Sequence, residues 1–109
     1  MKMLQEIEEA ILEEAVYQEP LHGIIYGFLK HGVCQDPKDV IDPILSLLAS
    51  KKLNIYYQSG YGGDPYLDIT SLPLSDLNNY LRAYIEKHKK EFNDIYPEDG
   101  GQFFIEATE

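Results

Sequence analysis

The residues of this chain that could do chemistry are one cysteine, three histidines, a glycine-rich run and an abundance of tyrosine. Cys34 follows His31 by three positions, and His22 and His88 are the other imidazoles. A cysteine nucleophile needs a base and an orienting partner brought to it from elsewhere in the chain. Structural zinc takes four ligands of this kind, and only His31 and Cys34 have a local ligand spacing. No metal site is therefore expected. Gly60-Tyr61-Gly62-Gly63 has the composition of a phosphate-cradling loop, but such a loop runs into a helix N-terminus and usually a lysine. Here Asp64-Pro65 and an alternating apolar pattern follow, which reads as a hairpin turn. No H-E-x-x-H, G-x-S-x-G or G-x-x-x-x-G-K-[ST] pattern occurs. The expectation is a protein that is not an enzyme and carries no cofactor. Nine tyrosines stand against four phenylalanines and no tryptophan. An aromatic body with a polar tip suits an interface anchor, and Tyr56, Tyr61 and Tyr66 fall on the outward side or the tip of the hairpin.

The elements that must position these residues follow from periodicity. Leu4, Ile7, Ile11 and Ala15, with Leu12, form the stripe of an amphipathic first helix whose glutamates take the remaining surface. Pro20 opens a second helix in which Leu21, Ile24, Ile25, Phe28 and Leu29 share a face, and Gly32 ends it. His22 and His31 fall near its two ends. Gly23 and Gly27, four apart, predict a close approach of another backbone, because each costs about 1 kcal/mol in a helix. Ile41, Ile44, Leu45 and Leu48 define a third helix. A proline inside a helix costs about 3 kcal/mol, so the segment divides into a short turn from Asp36-Pro37 to Ile41 and a helix capped by Asp42 with Pro43 at its first position. From Leu53 the period changes to two, placing Leu53, Ile55 and Tyr57 inward and Asn54, Tyr56 and Gln58 outward. Tyr66 to Thr70 returns with Leu67 and Ile69 inward, completing a β-hairpin. Ser75 is the expected cap of a fourth helix, residues 75–90, whose stripe is Leu77, Leu81, Tyr84, Ile85 and His88; Tyr57, Tyr80 and Tyr84 fall near apolar faces. In the acidic tail, residues 96–109, Phe103, Phe104 and Ile105 need burial, either as a strand added to the hairpin or against a neighbouring chain.

At 109 residues, with 44% apolar content, the chain is long enough for one core and too short for two, so a single domain is expected. The net charge of -10 is uneven: residues 1–19 carry six acids and one lysine, residues 91–109 six acids and no base, and the middle is nearly neutral. Acidic ends disfavour anionic membranes and nucleic acid and favour a partner with a basic surface. A lone cysteine and the lack of a long apolar run lead to the expectation of a cytoplasmic location without membrane association.

Three helices followed by a two-stranded wing resemble a winged helix-turn-helix domain over residues 4–70. The resemblance is carried by Pro43-Ile44-Leu45-Ser46-Leu47-Leu48-Ala49-Ser50-Lys51-Lys52-Leu53-Asn54-Ile55 and Tyr66-Leu67-Asp68-Ile69-Thr70. It implies an α+β fold of winged-helix type, with the C-terminal helix and a short tail strand added. It also implies DNA binding, with the outward stripe of the third helix, Asp39, Asp42, Ser46 and Ser50, at base edges and Lys38, Lys51 and Lys52 on phosphate. Phosphate contacts made by Lys and Arg dominate DNA affinity. The stripe holds no cation and the wing from Asn54 to Thr70 holds none either. Ile55-Tyr56-Tyr57, followed by a Gly- and Asp-containing loop and a last helix, is similar to the tyrosine pair of the small acidic immunity proteins that neutralise nuclease colicins, which implies a toxin-binding face of tyrosines and acids. The reading favoured is a protein-binding module, an adaptor or an immunity- or antitoxin-like neutraliser, using Tyr56, Gln58, Tyr61, Asp64 and Tyr66. A DNA-binding regulator using Lys38, Ser46, Ser50, Lys51 and Lys52 is the alternative. A homodimer through helix 1, helix 4 or the tail is compatible with both.

Overall fold

A computed structural model of the chain describes residues 4–60, 65–92 and 101–108. Among them are four α-helices and a four-stranded antiparallel sheet, an α+β arrangement. Helix α1 (Leu4–Glu14) turns Ile7 and Ile11 inward and keeps Glu6, Glu9, Glu13 and Glu14 exposed. A two-residue strand, β1 (Glu19–Pro20), precedes α2 (Leu21–Lys30), which buries Leu21, His22, Ile24, Ile25 and Phe28. Gly32 ends α2 at φ 74°, and Val33 N–H donates to the Phe28 carbonyl at 2.9 Å, so the left-handed residue that glycine accommodates closes the last turn. The predicted close approach at Gly27 is not found: a Cβ built there meets nothing within 4 Å.

The third helix begins earlier than the proline argument placed it. A 3-10 turn, Pro37–Val40, runs into α3 (Ile41–Ala49), so Pro43 lies in the first turn of α3, where an N–H has no intrahelical partner to lose. Asp36 caps the 3-10 turn, which is the short turn expected from Asp36-Pro37: its carboxylate accepts from Lys38 N–H at 2.9 Å, while Asp39 reaches back to the N–H of Asp36 at 3.1 Å. Helix α3 itself follows Val40 with no side-chain cap, so Asp42 is not its cap. At the other end Lys52 N–H donates to the Leu47 carbonyl and Lys51 N–H to that of Leu48, the paired bonds of a Schellman ending. Lys51 takes the left-handed position, at φ 62°.

Strand β2 (Leu53–Gln58) pairs with β3 (Leu67–Asp68) as the predicted hairpin. Leu67, opposite Tyr57, lies on the expected face but is not buried there; it is 55% exposed on β3, the edge strand of the sheet. Helix α4 (Leu74–His88) buries the whole predicted stripe, but it starts one residue before Ser75, with Pro73 at the capping position and no side-chain cap. The tail forms β4 (Gln102–Ala107), and it is neither an edge nor free. The strand order is β1-β4-β2-β3, with β4 paired to β2 along its full length and to β1 at Phe104 and Ile105. Its end is tied down by Ala107 N–H to the Ala15 carbonyl at 2.7 Å and Thr108 N–H to that of Lys52 at 3.0 Å.

All four helices contribute to one hydrophobic core with Leu53 and Ile55 of β2 and Phe103 and Ile105 of β4. Full burial of such side chains contributes roughly 1.5–3 kcal/mol each. Phe104, 7% exposed, stands outside this core because alternation puts it on the opposite face of the sheet. No described helix is long and apolar enough to cross a membrane.

Candidate functional site

That opposite face is where the structure gathers most of the predicted binding residues it describes. A single row runs across all four strands through the register pairs Asp68 with Tyr56, Tyr56 with Phe104, and Phe104 with Pro20. Tyr66, half exposed, leans its ring edge onto Phe104 with centroids 4.9 Å apart, an arrangement worth about 0.5–1.5 kcal/mol beyond its buried area. In the next row Asn54 faces Glu106, and Tyr56 Oη reaches the Glu106 carboxylate in a long 3.5 Å contact. Partial burial, then the charges of Glu106 and Asp68, raise the Tyr56 hydroxyl above its ordinary pKa, so it remains a neutral donor. The result is an aromatic strip, Tyr56, Phe104 and Tyr66, flanked by two carboxylates. Sequence reasoning missed Phe104 and Glu106, although the three adjacent apolar residues of the tail were the available signal.

Gln58 is corrected. It was expected outward and accessible, and it does lie on this face, but it is 4% exposed, paired across the sheet with Gln102, itself 5% exposed. Gln102 Oε1 has no hydrogen-bond partner among the described residues. Tyr61 and Asp64, the other predicted contacts, lie outside the described residues.

The residues of the DNA-binding alternative sit on a different part of the molecule. Lys38, Ser46, Ser50, Lys51 and Lys52 are all exposed. Ser50 Oγ donates into the Ser46 and Leu47 carbonyls at 3.0 and 3.2 Å, which takes its proton away from any outside acceptor. Asp42 is exposed beside Ser46 on the same stripe, and Asp39 is half buried in its cap.

A second constellation lies on the helix side of the sheet. His22 Nε2 donates to the Glu91 carbonyl at 3.1 Å, because a carbonyl can only accept, so Nδ1 accepts from Tyr84 Oη at 2.9 Å. Phe92 stacks on the same imidazole with centroids 4.4 Å apart, and the His88 ring stands edge-on to it at 5.8 Å. His88, 1% exposed, bonds through Nδ1 to the Glu91 carboxylate at 2.9 Å. Beside this network a cavity of about 530 Å³ opens between α4 and the hairpin, lined by Tyr57, Ile69, Leu72, Tyr84, His88 and Phe103 among others. Tyr80, expected at an apolar face, is half exposed at its rim. Gly101, at φ 90°, also lines it, and a Cβ there would come within 2.8 Å of Tyr57 Oη, so only glycine lets β4 start beside that hydroxyl.

Cys34 is 3% exposed, and burial, with Asp39 and Asp36 nearby, pushes its thiol up to about 11. A nucleophilic cysteine has the opposite setting, an electropositive and accessible one. Among the described residues no group of three or more His, Cys, Asp or Glu side chains converges on a point that a metal could occupy. No protein-family model matches the chain, and neither a curated protein nor a solved structure shows significant similarity to it.

Proposed function

We propose that this protein is a non-enzymatic protein-binding module whose contact surface is the sheet face opposite the helices. The observation that carries the reading is the row Asp68, Tyr56, Phe104 with Tyr66 packed on it and Glu106 alongside: aromatic anchors ringed by acid, outside the hydrophobic core. Interfaces draw most of their energy from a few such aromatic residues, and flanking carboxylates steer a basic partner. The acidic composition supports the same partner chemistry. An adaptor or a neutraliser of the immunity or antitoxin kind fits this surface equally. The winged-helix reading of residues 4–70 draws support from the three helices followed by the β2–β3 wing. Within that reading β4 is an addition that lies against the wing and supplies Phe104 as the buried support on which the exposed Tyr66 packs.

The test is affinity capture of the tagged protein from lysate of the cells that make it, with and without nuclease. A protein partner that survives nuclease and then binds the Tyr66→Ala variant about ten- to a hundredfold more weakly, while Lys51→Ala and Lys52→Ala leave it unchanged, is the expected result. Asp68→Asn with Glu106→Gln should lower the association rate and its salt dependence. Nucleic acid in the eluate, released by moderate salt and lost with the lysine variants, would transfer the function to α3 and its lysines.

A further inference from the structure

The cavity between α4 and the hairpin takes no part in the proposed protein interface, since Tyr57 and Phe103 are on the other side of the sheet from Tyr56 and Phe104. Its volume, about 530 Å³, is within the range of roughly 300–1,000 Å³ usual for small-molecule sites. Its walls are aromatic and already tilted to one another: Tyr57 and Phe103 have ring centroids 5.2 Å apart, and Tyr84 meets Phe103 edge-on at 5.4 Å. A planar guest continues that packing with stacked and edge contacts.

Tyr80 and Lys87 also line the cavity, and His88 contributes a ring nitrogen that bears on the chemistry of the guest. The Glu91 carboxylate can only accept, so the proton of their bond resides on His88 Nδ1, and in the tautomer with that single ring proton Nε2 is an acceptor. Nε2 has no hydrogen-bond partner among the described residues, although His88 is 1% exposed and lines the cavity. His22, the neighbouring histidine, has hydrogen bonds at both of its ring nitrogens, so Nε2 of His88 is the imidazole nitrogen left open to a guest. We infer that the cavity binds a small planar aromatic molecule carrying a hydroxyl or ring N–H, held among Tyr57, Tyr84 and Phe103 with its donor on His88 Nε2. A purely apolar guest leaves Nε2 unsatisfied, and that difference is the basis of selectivity.

The absence of tryptophan makes the test direct, because naphthol fluorescence can be excited without exciting the protein. The probes are 2-naphthol and 2-methoxynaphthalene, which share the ring system and differ in the donor. The expected result is saturable 1:1 binding of 2-naphthol, about tenfold tighter than that of 2-methoxynaphthalene, the usual worth of one hydrogen bond. Ala83→Trp, at an exposed helix position on the cavity wall, should weaken both at least tenfold. His88→Leu should bring the two probes to within about twofold of one another, as one hydrogen bond is then removed. The inference is overturned by lack of saturable binding, by Ala83→Trp binding as the unmodified protein does, or by a preference for the naphthol that persists in His88→Leu. Should His88→Leu fail to fold, the preference of the unmodified protein and the Ala83→Trp comparison decide the matter between them.

Discussion

Cys34 shows how one side chain's surroundings set its chemistry. Buried beside the Asp36 and Asp39 cap, it holds its proton up to about 11, against 9.0 for an unperturbed thiol. At pH 8 the native protein should therefore be alkylated by iodoacetamide about 100-fold more slowly than the denatured chain, since the thiolate is the nucleophile. The same shift has a stability consequence. The folded state binds this proton more tightly than the unfolded chain, so the group's contribution is complete below pH 9.0 and is lost as pH rises from there through about 11. Denaturation midpoints should fall across that window, and Cys34→Ala should flatten the fall; reaction of native Cys34 at the rate of a free thiol would contradict both. Residue-level reading from sequence succeeded where a side chain followed its element's period. His88 was placed on the buried stripe of α4 with Leu81 and Ile85 and is there. Gln58 lies on the outward face that alternation gave it, but it is buried there, opposite Gln102 of β4, a neighbour that alternation alone does not name. The pairing of His22 with Tyr84, 62 residues apart, has no local signature.

Among the elements, the ends were harder to read than the interiors. Gly32 announces the close of α2, but α3 ends on the same left-handed geometry with Lys51, a residue that gives no signal of it. Lysine at φ 62° carries the Cβ strain that glycine avoids. Lys51→Gly should thus raise stability by about 0.5–1 kcal/mol, seen as a higher urea midpoint with an unchanged slope. Lys51→Ala keeps the Cβ and should bring no such gain, and a destabilised glycine variant would show that Lys51 does something its geometry does not reveal. The short turn from Asp36-Pro37 was legible, and Asp39, three residues after Asp36, completes its reciprocal cap. The start of α3 was misread because Asp42-Pro43 carries the same local signal, whereas the turn runs straight on into α3 at Ile41 and leaves Asp42 inside it.

The architecture of the whole molecule turns on β4. The apolar run at Phe103 to Ile105 was legible as a strand in need of cover, whereas its position between β1 and β2 was not: alternation names the faces of a strand but not its neighbours. Hydrophobicity on both faces was the clue, since a strand covered on both sides is usually interior. Because β4 joins β1 to β2 and places Ile105 in the core, removing residues 102–108 should do more than fray an edge. The truncated chain should lose its cooperative thermal transition and its near-ultraviolet circular dichroism. A truncated chain that still melts cooperatively would mean that the helices and hairpin form a sufficient core without it.

The same strand order has a meaning for synthesis on the ribosome. Residues of β1 and β2 are made well before those of β4, and in the finished sheet they flank it at about 4.8 Å on either side. While translation is under way they must therefore remain apart by the width of one strand, or pair wrongly. Such non-local pairing is slow to form and leaves strand edges open in the meantime. The emerging chain thus carries a vacant slot, and the step that closes it waits for the codons of Gln102 to Ala107 to be read.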